Sequence, residues 1–144
     1  MIEPDTIKLL RECDAGVKMG VHSIDDVLGH VKSPELLDLL KDCRDKHDKL
    51  DNSLQKLLSQ YGDEGKKPGF LAEKMAEMKT GVKLSMDDAD DTVAALMTDG
   101  CNMGVKSLSR YLNQYAAADE QSKDIAKNLI ALESQLAVDM REYL

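Results

Sequence analysis

Gly16–Leu28 reads GVKMGVHSIDDVL, and at Gly100–Leu112 the chain reads GCNMGVKSLSRYL. Gly16, Met19, Gly20, Val21, Ser23 and Leu28 return as Gly100, Met103, Gly104, Val105, Ser107 and Leu112, all at an offset of 84 residues. A constant offset between two apolar-periodic stretches predicts a duplicated structural unit. The glycines carry most of the signal. Each costs about 1 kcal/mol against Ala in a helix interior. A pair one turn apart that recurs therefore predicts close approach of a neighbouring helix.

Around the first copy, apolar residues fall at positions 7, 10, 17, 21, 24, 28 and 31. Steps of three and four are the inward stripe of a bundle helix, and Pro4-Asp5 suits a helix start. The first helix is predicted over 5–31. Ser33-Pro34-Glu35 starts the next, with Ser as cap, Pro in the first position and Glu at the positive end of the dipole. Its stripe is Leu36, Leu40, Cys43, His47, Leu50, Leu54, Leu57 and Tyr61, and Gly62 stops it. A link of one or two residues makes these two helices an antiparallel hairpin.

Asp63–Lys67 (DEGKK) reads as a polar loop. Pro68 opens a short helix through about Val82, and Ser85-Met86-Asp87-Asp88 resembles a capping box for the next long one. That helix is predicted over 86–117. Asp119 starts a last helix that runs close to Leu144, with Ala126, Leu129, Glu133, Leu136, Met140 and Tyr143 on its stripe. The expected organisation is one domain over 1–144: hairpin one at about 5–61, a crossover at about 62–85 and hairpin two at about 86–144. Two hairpins joined by a long crossover are the connectivity of an all-α, ferritin-like four-helix bundle.

Composition limits the function classes. The 144 residues carry a net charge of −8, with 42% hydrophobic and 32% charged residues, as a globular chain should. An acidic surface repels phosphate backbones and anionic lipid, so nucleic-acid and membrane partners are not expected. Aromatic residues are 3% and Trp is absent, which leaves little for base stacking. The N-terminus MIEPDTIKLL lacks a basic region followed by an apolar stretch, so a cytoplasmic location is expected. Cys13, Cys43 and Cys101 form no CxxC pattern and read as small core residues. A thiol nucleophile at Cys13 or Cys43 is set aside, because both fall inside a core with no evident substrate cleft. The eight Met residues lack the dense spacing of a thioether copper site. The acidic run Asp87–Asp91 reads as a solvated helix start and not as a calcium loop.

Three inward-facing positions are ionisable: Asp14 on the first helix, His47 on the second and Glu133 on the last. The repeat carries Asp14 onto Thr98. Counted from the hairpin turns at 1.5 Å per residue, their levels nearly coincide in mid-bundle. One imidazole and two carboxylates can form a mononuclear site for iron, manganese or zinc. They can equally hydrogen-bond one another as a buried polar cluster, helped by Lys18 or Arg44. His22 and His30 read as surface or boundary residues.

At this point the chain resembles the ferritin-like di-iron proteins. These carry one Glu on each of helices 1 and 3 and a Glu-x-x-His on each of helices 2 and 4. The corresponding residues are Arg44-x-x-His47 and Ile130-x-x-Glu133, with Asp14 and Thr98 opposite. Arg44 and Ile130 replace two bridging carboxylates, so the resemblance implies a degenerate metal site. The chain is also similar to an uncharacterised bacterial ferritin-like family, through Ile7–Gly20 and Pro68–Thr80 and over nearly its whole length. Where that family often has Glu after the helix 3 glycine, this chain has Cys101. The expected function is a non-enzymatic structural or interaction role without a cofactor, compatible with homo-oligomerisation. The alternative is a metal-binding bundle in metal handling or stress response.

Overall fold

The computed structural model describes residues 3–65 and 89–144. These form four long helices: α1 (Pro4–Leu28), α2 (Pro34–Gln60), α3 (Asp90–Gln114) and α4 (Glu120–Met140), followed by a 3-10 turn at Arg141–Tyr143. The protein is an all-α four-helix bundle. The crossover helix expected at Pro68–Val82 and the cap at Ser85 lie outside the described residues.

Local chemistry sets the helix ends. Pro34 occupies the first turn of α2, and the Ser33 hydroxyl accepts the Leu36 N–H at 3.2 Å. At α4 the Asp119 carboxylate accepts the Ser122 N–H at 2.8 Å. Both caps fall where the sequence puts them. Three helix ends differ. Helix α1 stops at Leu28 and not at Val31, because Gly29 ends it and the chain runs on to Ser33 before turning into α2. The link is thus longer than one or two residues. Helix α3 ends at Gln114, three residues early, and Tyr115–Ala118 form the turn. Beyond Met140 the last helix tightens into the 3-10 turn.

α1 packs against α2 and α3 against α4, and the hairpins meet through α1–α3, α2–α4 and α1–α4. Two apolar clusters fill the interior. One joins Leu9, Leu10 and Val17 to Leu54, Leu58 and Leu129. The other joins Ile24, Val27, Leu36 and Leu40 to Val93, Leu136 and Met140. Each fully buried Leu contributes about 1.5–3 kcal/mol relative to exposure.

The two hairpin turns are held by similar contacts. The Asp90 carboxylate, at the start of α3, accepts the Lys32 and Ser33 N–H groups at 2.8 and 3.0 Å. At the opposite end, Asp5 and Thr6 at the start of α1 accept the Ala117 and Asp119 N–H groups at 3.1 and 2.9 Å. The repeat offset carries Thr6 onto Asp90, and Ser33 and Asp119 are the caps of the two second helices. Each hairpin's turn is therefore held by the first helix of the other, and the two turns lie at opposite ends of the bundle.

This clasp has a measurable weight. Removing an acceptor from two backbone amides in a half-buried turn costs about 1–2 kcal/mol. Asp90→Ala should lower the urea midpoint by the corresponding amount. An unchanged midpoint would show that the clasp contributes nothing.

Candidate functional site

His47 lies fourteen residues after the Ser33 cap, and Glu133 fourteen residues after the Asp119 cap. Two hairpins entering from opposite ends bring these positions, equally distant from their caps, to the same level. There the His47 Nε2 stands 3.4 Å from the Glu133 Oε1, with His47 1% and Glu133 8% exposed. The other ring nitrogen, Nδ1, is 2.8 Å from the Cys43 carbonyl oxygen and 3.6 Å from the Cys43 Sγ. A carbonyl only accepts, so Nδ1 carries a proton and donates to it. Nε2 is left to face the Glu133 carboxylate.

The recurring glycines make room for this pair. A methyl group built on Gly20 of α1 would stand 2.8 Å from the His47 Nε2 and 3.4 Å from the Glu133 Oε1. One built on Gly104 of α3, the equivalent residue, would touch the Glu133 carboxyl carbon at 3.4 Å. The pair lies between two glycine-lined helix faces. Of the other two recurring glycines, Gly16 faces Leu129 and Leu108, whereas Gly100 faces open space.

Cys101 of α3 completes a chain of four side chains, Cys43–His47–Glu133–Cys101. Burial and the Glu133 carboxylate, to which it is hydrogen-bonded, hold the Cys101 thiol well above its ordinary pKa. Burial alone would lower the His47 pKa. The hydrogen bonds to Cys43 and Glu133 outweigh it and raise the imidazole to about 10.

Asp14 does not join this group. It is fully buried, its carboxylate accepting from the Lys18 Nζ at 2.9 Å and from the Gln55 Nε2 at 2.9 Å. Gln55 lies eight residues beyond His47 on α2, about 12 Å along the axis at 1.5 Å per residue. Counting from the turn misplaced Asp14 because the Gly29–Ser33 link lets α2 start beyond the end of α1. The pairs Asp25–Arg44, Gly20–His47 and Asp14–Gln55 define the true register. Thr98 is also elsewhere, its hydroxyl donating to the Ala94 carbonyl of its own helix at 2.7 Å. Arg44 faces outward to Asp25 and Asp48. Among the described residues, no three His, Cys, Asp or Glu side chains are grouped so that they could hold a metal ion. A shallow groove on α2, lined by Asn52, Gln55, Lys56, Ser59 and Gln60, does not include the His47–Glu133 pair.

The sequence expectation of a close helix approach at the recurring glycines holds at Gly20 and Gly104, and Cys43, set aside there as a nucleophile, lies one helical turn before His47. The contact of Cys101 with Glu133 was not foreseen. Nothing local connects Cys101 to Glu133.

The bundle is similar to the crystal structure of a DUF305 fragment from Deinococcus radiodurans. The TM-score is 0.71 at 12% identity, covering 98% of this chain and 95% of that one. This likeness establishes the fold alone. No family model matches the chain. No curated protein matches it. Among the described residues, no helix is long and apolar enough to cross a membrane.

Two predictions follow from the pair and its walls. Gly20→Ala forces the His47 ring off Glu133 and should cost about 1–3 kcal/mol, as overpacking does. Gly100→Ala meets nothing and should gain up to about 1 kcal/mol in helix propensity. Equal effects of the two in urea unfolding would refute the wall. The second concerns pH. A raised imidazole pKa contributes stability that is complete below the unfolded value near 6.5 and lost as pH rises through about 10. Folding stability should fall by about 1 kcal/mol per pH unit between roughly pH 7 and 8, where unfolded thiols, with midpoints near about 8.5, are still mostly protonated. His47→Gln should flatten that slope, and a wild-type slope in the variant would remove His47 as its source.

Proposed function

We propose that this chain is a ferritin-like bundle with a non-enzymatic structural or interaction role, its mid-bundle centre reduced to a self-satisfied polar pair. The observation that carries this reading is the direct His47–Glu133 contact. A ferritin-like di-metal centre needs about four carboxylates and two imidazoles. Among the described residues, that level holds one imidazole and one carboxylate, each already facing the other, with the Cys43 and Cys101 thiols beside them and no further carboxylate or imidazole.

The residues therefore do not fit the metal that the resemblance implies. Adding Asp14 would complete a three-donor set, but Lys18 and Gln55 occupy its carboxylate two turns away. The sealed pair also offers no place for a substrate to reach the imidazole. In this reading, contacts with a partner or a second copy fall to the outer faces, where Met103 of α3 and Val138 of α4 are 66% and 44% exposed.

The test is elemental analysis of untagged protein before and after exposure to iron, manganese and zinc. No stoichiometric retention and no thermal shift are expected. About one equivalent of metal per chain, lost in His47→Ala, would replace this reading with the metal-binding one. Sedimentation as a monomer, with no partner recovered, would remove the interaction role.

A further inference from the structure

Helix α3 carries an outer face that the bundle does not use. Asp99, Met103, Lys106 and Arg110 are all exposed and follow at steps of four, three and four, so they form one stripe along the helix. Met103, 66% exposed, is the most exposed large hydrophobic side chain among the described residues. Among those residues, no ion pair or side-chain hydrogen bond engages Asp99, Lys106 or Arg110. Elsewhere on the surface Arg11, Arg44 and Lys46 are each paired, with Asp63, Asp25 and Asp42. Lys106 and Arg110 stand one turn apart, a spacing at which like charges repel.

Charge divides along this stripe. Asp99 lies on the N-terminal side of Met103, and Lys106 and Arg110 lie on the C-terminal side. The spacing is symmetric as well. The midpoint between Asp99 and Lys106 is also the midpoint between the exposed Ala95 and Arg110, and Met103 lies beside it. Such a stripe matches its own reverse. When a second α3 lies antiparallel across it, Asp99 of each copy comes level with Lys106 of the other, about 5 Å to either side of the centre at 1.5 Å per residue. Each Arg110 stem lies over the small Ala95 side chain of the other copy, and the two Met103 side chains meet at the centre. A parallel copy would instead set Asp99 against Asp99 and Lys106 against Lys106. The pattern is that of an isologous, twofold contact, and charge complementarity selects the antiparallel orientation.

We propose that the outer face of α3 is the interface of an antiparallel homodimer, closed by reciprocal Asp99–Lys106 pairs around Met103. It rests on the interaction role above and names the partner as a second copy of this chain. One helix face falls at the small, transient end of interface sizes, and exposed ion pairs are weak and screened by salt. The dimer is therefore a reversible one that forms at high protein concentration and loosens as salt is added.

The experiment is sedimentation velocity of the untagged full chain from about 10 µM to about 1 mM, at low and high salt. The wild type should pass from monomer to dimer across the series, with affinity falling at least about fivefold between roughly 50 and 500 mM salt. Asp99→Lys and Lys106→Asp each bring like charges face to face and should weaken the dimer at least about tenfold. The double variant swaps the two charges and should return to within about threefold of the wild type. Lys49→Asp, an equal charge change on the exposed surface of α2, should leave the dimer unchanged. All these positions are exposed, so the variants should keep the wild-type urea midpoint; should one single variant not fold, the other and the salt series decide. A monomer at every concentration, a dimer indifferent to the single reversals, or a double variant that stays dissociated would overturn the proposal. A monomeric wild type that still recovers a different protein would overturn the dimer while leaving the interaction role in place.

Discussion

The contact between the His47 imidazole and the Glu133 carboxylate joins the two halves of this bundle at its centre. Both groups are shut away from water, and a buried charge or unpaired polar atom costs several kcal/mol. Neither helix α2 nor α4 can bury its polar position alone. Each becomes tolerable only when the other hairpin arrives at the right height and rotation. The pair thus penalises any register in which the hairpins slide past each other, a penalty that apolar packing alone imposes weakly.

The rest of the architecture serves that alignment. The end clasps at Asp90 and at Asp5 and Thr6 fix the axial position of each hairpin from outside. Gly20 and Gly104 let α1 and α3 close over the pair. Two glycines in helix interiors are locally unfavourable, but side chains there would strike the imidazole or crowd the carboxylate. The local loss is recovered as a global fit, and this explains the glycines at the equivalent positions 20 and 104.

Much of the bundle was legible from such local signals. The Ser33 and Asp119 caps, the α2 and α4 stripes, and the inward place of His47 and Glu133 all follow from capping chemistry and periodicity. These depend on neighbours within a turn or two. What was not legible depends on the path between helices. The extended Gly29–Ser33 link shifts α1 against α2 by enough to carry Asp14 away from His47 and onto Gln55. Residue counting assumes that both helices start level at the turn, and no single residue in the link announces otherwise. Cys101 was illegible for a related reason, since its partner Glu133 comes from another helix.

Duplication gives the central pair its sharpest constraint. Positions equally distant from the two caps meet at the middle, so hairpins identical from the cap onward would place the same residue there twice. Two glutamates would confront each other as like charges, and two histidines would do so once protonated. In either case one group's protonation state would have to be forced. A bundle can resolve that conflict by placing a cation between two carboxylates. It can also carry an acid at one position and a base at the other, so that the two attract. His47 and Glu133 are the second solution. Asp14 and Thr98 take no part in it: Asp14 accepts from Lys18 and from Gln55 of α2, and Thr98 donates to the Ala94 carbonyl.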